Sequence, residues 1–170
     1  ASILGGSFYL KDLHEVFLSH KGFEDLSLVV LTLEKGKKEN FLEEDFTSGE
    51  TTYFFLHETM EKTIYQKLAE EERKELHGIC AEIFEQKKQI KNDIYTIAYH
   101  YNHSGQKKKL VYYNLLAYQQ AHQQHSLNEA AFYLKNVVDF YLKNNVSSQP
   151  MRDSGLQLTL ILQSLGRIEE

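Results

Sequence analysis

The chain has 170 residues, 42% hydrophobic and 25% charged, with a net charge of −5 when histidine is neutral. That composition suits one or two ordinary globular domains, and its acidic balance argues against a general nucleic-acid binder, which presents a basic face. A single cysteine, Cys80, rules out an internal disulfide and fits a reducing compartment. No apolar run nears the roughly 20 residues of a membrane helix, and ASILGGSFYL lacks the basic start of a signal peptide. The expected location is the cytoplasm, with no membrane contact. There is no initiator Met and the chain closes on LGRIEE in mid-pattern, so it reads as an excised piece of a larger protein.

Leu10, Leu13, Val16 and Phe17 define a first short amphipathic helix, and Leu26, Val29, Val30 and Leu33 a second. The second is expected to end near EKGKK, with Gly36 as its left-handed cap. Phe41 and Leu42 suggest a strand, EEDFTSGET a hairpin loop around Gly49, and TYFFL (Thr52–Leu56) the returning strand. A third helix starts near His57. Two helices, two strands and a flanking helix have the layout of a winged helix, over residues 1–68.

Residues 69–170 read as all-α. Leu76, Ile79, Cys80, Ile83 and Phe84 form an apolar stripe behind the charged EEERKE. DIYTIAYHYNHSG is a helix that stops at Gly105, and KKKLVYYNLLAYQQAHQQH is another. Ser126 with Glu129 forms a capping box for the next, whose inner face carries Leu127, Ala130, Ala131, Leu134, Val138 and Tyr141. Pro150 breaks the chain, and a further helix begins at GLQLTLILQSL. Small residues at Ala117, Ala121, Ala130 and Ala131 suit closely stacked helices, so the fold class is mainly α: a winged helix with a small hairpin, then a tetratricopeptide-like repeat segment cut at its C-terminus.

No G-x-x-x-x-G-K-[ST] loop occurs, so the chain by itself is not expected to hydrolyse ATP, and no cofactor is expected within it. His100 with His103, and His122 with His125, sit at i, i+3, close enough to share a metal on a helix, but without further ligands nearby; no metal site is expected. A DNA-binding winged helix would use Glu24–Lys35 for recognition; Glu24, Asp25 and Glu34, with Glu43, Glu44, Asp45 and Glu50 on the wing, would repel phosphates. Cys80 on its apolar stripe reads as a buried, inert thiol. Many of the 11 tyrosines read as packing residues between helices.

Three stretches resemble a known family. In ASILGGSFYLKDL the matching positions are Ala1, Ile3, Leu4, Gly5 and Phe8. In YFFLHETMEKTIYQKLAEEERKELHGICAEIFE they are Phe54 or Phe55, His57, Tyr65, Leu68, Arg73, Leu76 and His77. IAYHYNHSGQKKKLVYYNLLAYQQA continues at Ala98, His100, Tyr101, Gly105, Tyr113 and Ala117, with Lys109-Leu110 where Lys-Ala is the pattern. The order and spacing resemble the region that follows the AAA-like NTPase domain in STAND-class signalling ATPases, as carried by multidomain class III nucleotide cyclases and Ser/Thr kinases. The resemblance implies a non-catalytic regulatory fragment. Its winged helix would meet the ATPase domain of the same parent chain, which binds ATP or ADP, and its repeats would bind a protein or peptide partner.

The same resemblance implies a role for His57, with Glu58 beside it. In the family a histidine at this strand-to-helix junction, usually written Met-His-Asp, reaches the β-phosphate of ADP and holds the closed state. Imidazole can donate to a phosphate oxygen, and a helix N-terminus favours an anion. Here Leu56 and Glu58 replace Met and Asp. Read from residues alone, His57 is in register with Met60, Ile64 and Leu68, which equally suits a buried histidine in a stand-alone helical scaffold.

Overall fold

The computed structural model describes residues 1–22, 25–47, 49–87 and 90–167. Glu24 therefore lies outside the described residues. The protein is mainly helical, with eight helices among the described residues and one three-stranded antiparallel sheet. The chain divides into two compact units, Ala1–Lys87 and 88–170. Among the described residues no helix is long and apolar enough to cross a membrane.

The first unit runs β1 (Ser7–Tyr9), α1 (Leu10–Lys21), α2 (Leu26–Lys38), β2 (Leu42–Thr47), β3 (Glu50–Phe55), α3 (Glu58–Lys67) and α4 (Glu70–Gln86). The sheet order is β1-β3-β2, with Phe8 opposite Tyr53 and Leu42 opposite Phe55. Strand β1 has no counterpart in the sequence reading; three residues are too few for alternation to register. The hairpin is also tighter than expected. EEDFT belongs to β2, and the reversal falls between Thr47 and Glu50, where Gly49 takes φ +84°.

Helix α1 is central because neighbouring positions on its buried side feed two cores. Leu13 joins Phe8, Val29, Leu33, Leu42 and Tyr53 under the sheet. Val16 joins Ile3 and Cys80, around which Tyr65, Leu68, Leu76, Ile79, Ile83 and Phe84 pack. Helix α4, expected at the head of the repeat segment, thus packs within the first unit. At its end Lys87 reaches the buried carboxylate of Asp12 on α1 at 2.8 Å.

Gly36 does not cap α2. The helix runs through it to Lys38, and Asn40 supplies the left-handed residue, φ +57°. The glycine serves packing instead: a Cβ there would stand 2.9 Å from Cδ1 of Leu42. The helix can lie this close to β2 only because position 36 has no side chain.

The second unit contains α5 (Ile90–Ser104), α6 (Lys107–Gln123), α7 (Leu127–Lys143) and α8 (Gln149–Ser164), each packed on the next. Ala98, Ala117, Ala121 and Ala130 are fully buried and let the backbones approach. Asn114, also fully buried, links three helices: its amide exchanges hydrogen bonds with Asn102 on α5 and accepts one from Asn136 on α7.

Two boundaries differ from expectation. Pro150 does not interrupt the chain; it sits in the first turn of α8, where a missing N–H costs nothing, and Ser148 caps the helix by accepting from the Met151 N–H. Ser126 is the N-cap residue of α7, as expected, but its side chain makes no capping hydrogen bond, so the capping box does not form.

Candidate functional site

The β3–α3 junction places His57 as the N-cap residue of α3, with extended backbone at φ −133°, ψ 122°. Its carbonyl accepts from the N–H groups of Met60 and Glu61, at 3.0 and 3.3 Å, which starts the helix. Its side chain makes no capping hydrogen bond and is exposed. The buried alternative therefore fails. The apparent stripe of His57, Met60, Ile64 and Leu68 does not bury, because α3 contains no buried residue.

Glu58 is exposed and does not serve His57. Its carboxylate lies 2.7 Å from Nζ of Lys62, one turn on, and that hydrogen bond together with the lysine's charge lowers its pKa.

The rest of the pattern comes together behind the junction. The Tyr65 hydroxyl and Nε2 of His77 share a hydrogen bond of 2.9 Å, with the rings edge to face at 5.8 Å. The Arg73 guanidinium stands 5.2 Å from the centre of the Tyr65 ring. His77 is fully buried, and Leu68 and Leu76 pack on the core containing Cys80. Burial pushes the Cys80 thiol up to about 12, well outside the nucleophilic range.

Two apolar hollows flank α3 on its inner side. One, of about 370 Å³, is lined by residues including Val29, Leu33, Phe41 and Phe55; the other, of about 220 Å³, by Val16, His20, Leu68 and Leu76 among others. Leu13, Phe17 and Ile64 border both. Sequence reasoning passed over His20 and His14 on α1. Both His20 ring nitrogens, and Nε2 of His14, are buried without a hydrogen bond. Nδ1 of His20 lies 3.3 Å from a Glu75 carboxylate oxygen but out of line for one. A lone histidine on an amphipathic helix carries no signal that would have singled it out.

The other candidates resolve into structure. His100, Tyr101 and Tyr113 are buried in the second unit, with the two tyrosine rings stacked at 5.0 Å. His103 is exposed, its Nδ1 2.8 Å from the Tyr99 carbonyl, and His125 takes φ +59° in the turn after α6. Among the described residues no group of three or more His, Cys, Asp or Glu side chains could hold a metal. The outward face of α2 carries exposed Leu28 and Leu31, the latter 67% exposed, beside Lys35 and Lys38. Lys37 is held by Glu34 and Glu44. Leucines in that position offer nothing to a phosphate backbone.

Comparison with known protein families, with characterised proteins and with solved structures finds no match to this chain.

Proposed function

We propose that this chain is the regulatory region of a STAND-class signalling ATPase: a winged helix over 1–68, on which α4 packs, leading into a tetratricopeptide-like segment made of α5 to α8. The element order β1-α1-α2-β2-β3, with β3 central in the sheet, supports the winged-helix reading. The succession α5 to α8, each helix packed on the next, supports the repeat reading. In this reading the chain is not itself an enzyme. It works in the cytoplasm, and His57 meets the ADP held by the ATPase domain of the parent chain. The repeats take a protein or peptide partner.

One observation carries it: the His57 imidazole stands exposed at the start of a helix, uncommitted to capping it. An imidazole N–H and the free N–H groups of a first helical turn are both suited to a phosphate oxygen. Glu58, turned to Lys62, tunes the helix start rather than contacting nucleotide.

The test is ADP dissociation from the parent chain, wild type against His57→Ala. A hydrogen bond to a charged phosphate oxygen is worth about 1.5–3 kcal/mol, so release should quicken about 10- to 150-fold. The fold should be intact, since exposed positions usually shift stability within about 0.5 kcal/mol. Unchanged release in the folded variant would leave the alternative, a helical scaffold. That alternative draws on a hollow of about 470 Å³ between α7 and α8, with Phe132 and Leu142 exposed at its edges.

A further inference from the structure

We propose that the Tyr65–His77 hydrogen bond is the clamp that fixes α3 on the first unit and so sets where His57 is presented. The proposal rests on His57 being the working group of the junction, and it assigns Tyr65 and His77 as positioning residues.

Packing alone holds α3 weakly. None of its residues is buried, and Ile64 is 40% exposed beside both hollows. A helix laid over two apolar hollows makes fewer of the dispersion contacts that would fix its tilt. Its first turn follows directly on β3, with the Glu61 carboxylate beside Gly6. The C-terminal turn is different. Tyr65 shares its 2.9 Å hydrogen bond with a histidine that is fully buried, and Arg73 lies against the same ring. His77 belongs to α4, which is anchored on α1 through Cys80 against Val16 and through Lys87 to Asp12. A continuous set of contacts therefore runs from the core through His77 and Tyr65 into α3.

Tyr65 and His57 are two turns apart, about 12 Å along the axis. A tilt of roughly 15° about Tyr65 would move the imidazole by about 3 Å, a full hydrogen-bond length. The ring and hydroxyl also have separable parts: the ring contributes packing and the cation–π contact, the hydroxyl alone contributes direction.

The experiment is hydrogen–deuterium exchange on the 170-residue chain, comparing wild type, Tyr65→Phe, His77→Gln and His77→Ala. Tyr65→Phe keeps the ring and loses the hydroxyl. The expected result is exchange roughly tenfold faster across α3, with α1 and α4 changed less than about twofold. His77→Gln, whose side-chain amide can still bond the hydroxyl, should hold α3 nearer to wild type than His77→Ala does. Unchanged α3 exchange in Tyr65→Phe would overturn the clamp, as would an equal rise over every helix of the first unit. This readout involves no nucleotide. If His57→Ala leaves ADP release unaltered while Tyr65→Phe loosens α3 selectively, the nucleotide reading falls and the clamp stands.

Discussion

Cys80 shows how one residue's surroundings set a measurable property of the whole chain. Burial raises its thiol from the ordinary 9.0 to about 12, so the unfolded chain releases its proton first as pH rises. Between pH 9 and 12 the unfolded state binds fewer protons, and the stability Cys80 contributes below pH 9 is lost, at up to about 1.4 kcal/mol per pH unit. Chemical denaturation of wild type and Cys80→Ala across that window should show the steeper decline in wild type. Alkylation of the native chain at pH 8 should track unfolding. This residue was legible because an apolar stripe predicts burial directly. His57 was only half legible: its place at a strand-to-helix junction could be read, but its exposure could not. Period 3.6 assigns the residue to the face that should be inward, and only the hollows along α3 explain why that face stays open.

At the scale of elements, sequence signals marked where helices lie better than how they end. Gly36 and Pro150 are the residues that usually punctuate a helix, and both lie inside one. Gly36 answers to a neighbour 2.9 Å away that no local pattern names. Gly36→Val should therefore destabilise the first unit by about 3 kcal/mol, as overpacking against Leu42, while Gly36→Ala should come out smaller because the gain in helix propensity offsets part of the clash. Urea midpoints of the two variants would rank them. In the second unit the element that fixes helix against helix is polar. Removing the fully buried Asn114 amide leaves the half-buried Asn102 and Asn136 side chains short of a partner. Asn114→Ala should cost about 3 kcal/mol, visible as lost exchange protection in α5 to α7 and not in the first unit. Asparagines at 102, 114 and 136 carry no periodic signature, so this network could not be read in advance.

For the molecule as a whole, composition and periodicity gave the mainly α class and the small sheet, and missed that α4 belongs to the first unit. Two long-range contacts tie it there, Cys80 on Val16 and Lys87 on Asp12. Asp12 and Lys87 are 75 positions apart, and sequence offers no means of pairing them. Their contact spans the first unit almost end to end. Lys87→Met should leave the Asp12 carboxylate buried without its cation and lower the unit's stability by about 3 kcal/mol, whereas Lys87→Arg should retain most of it. Thermal melting of both variants would check the difference.

The stepwise packing of α5 on α6, α6 on α7 and α7 on α8 has a consequence in time. Contacts between successive helices are close in sequence, so each new interface closes only a short loop. The second unit should fold in roughly microseconds to milliseconds, starting at any helix pair and spreading outward. The first unit should be slower: its sheet joins residue 8 to residue 53, and its ion pair joins 12 to 87. During synthesis the last half of this chain should be structured almost as soon as it emerges, while the half that carries His57 must wait for α4 to be complete.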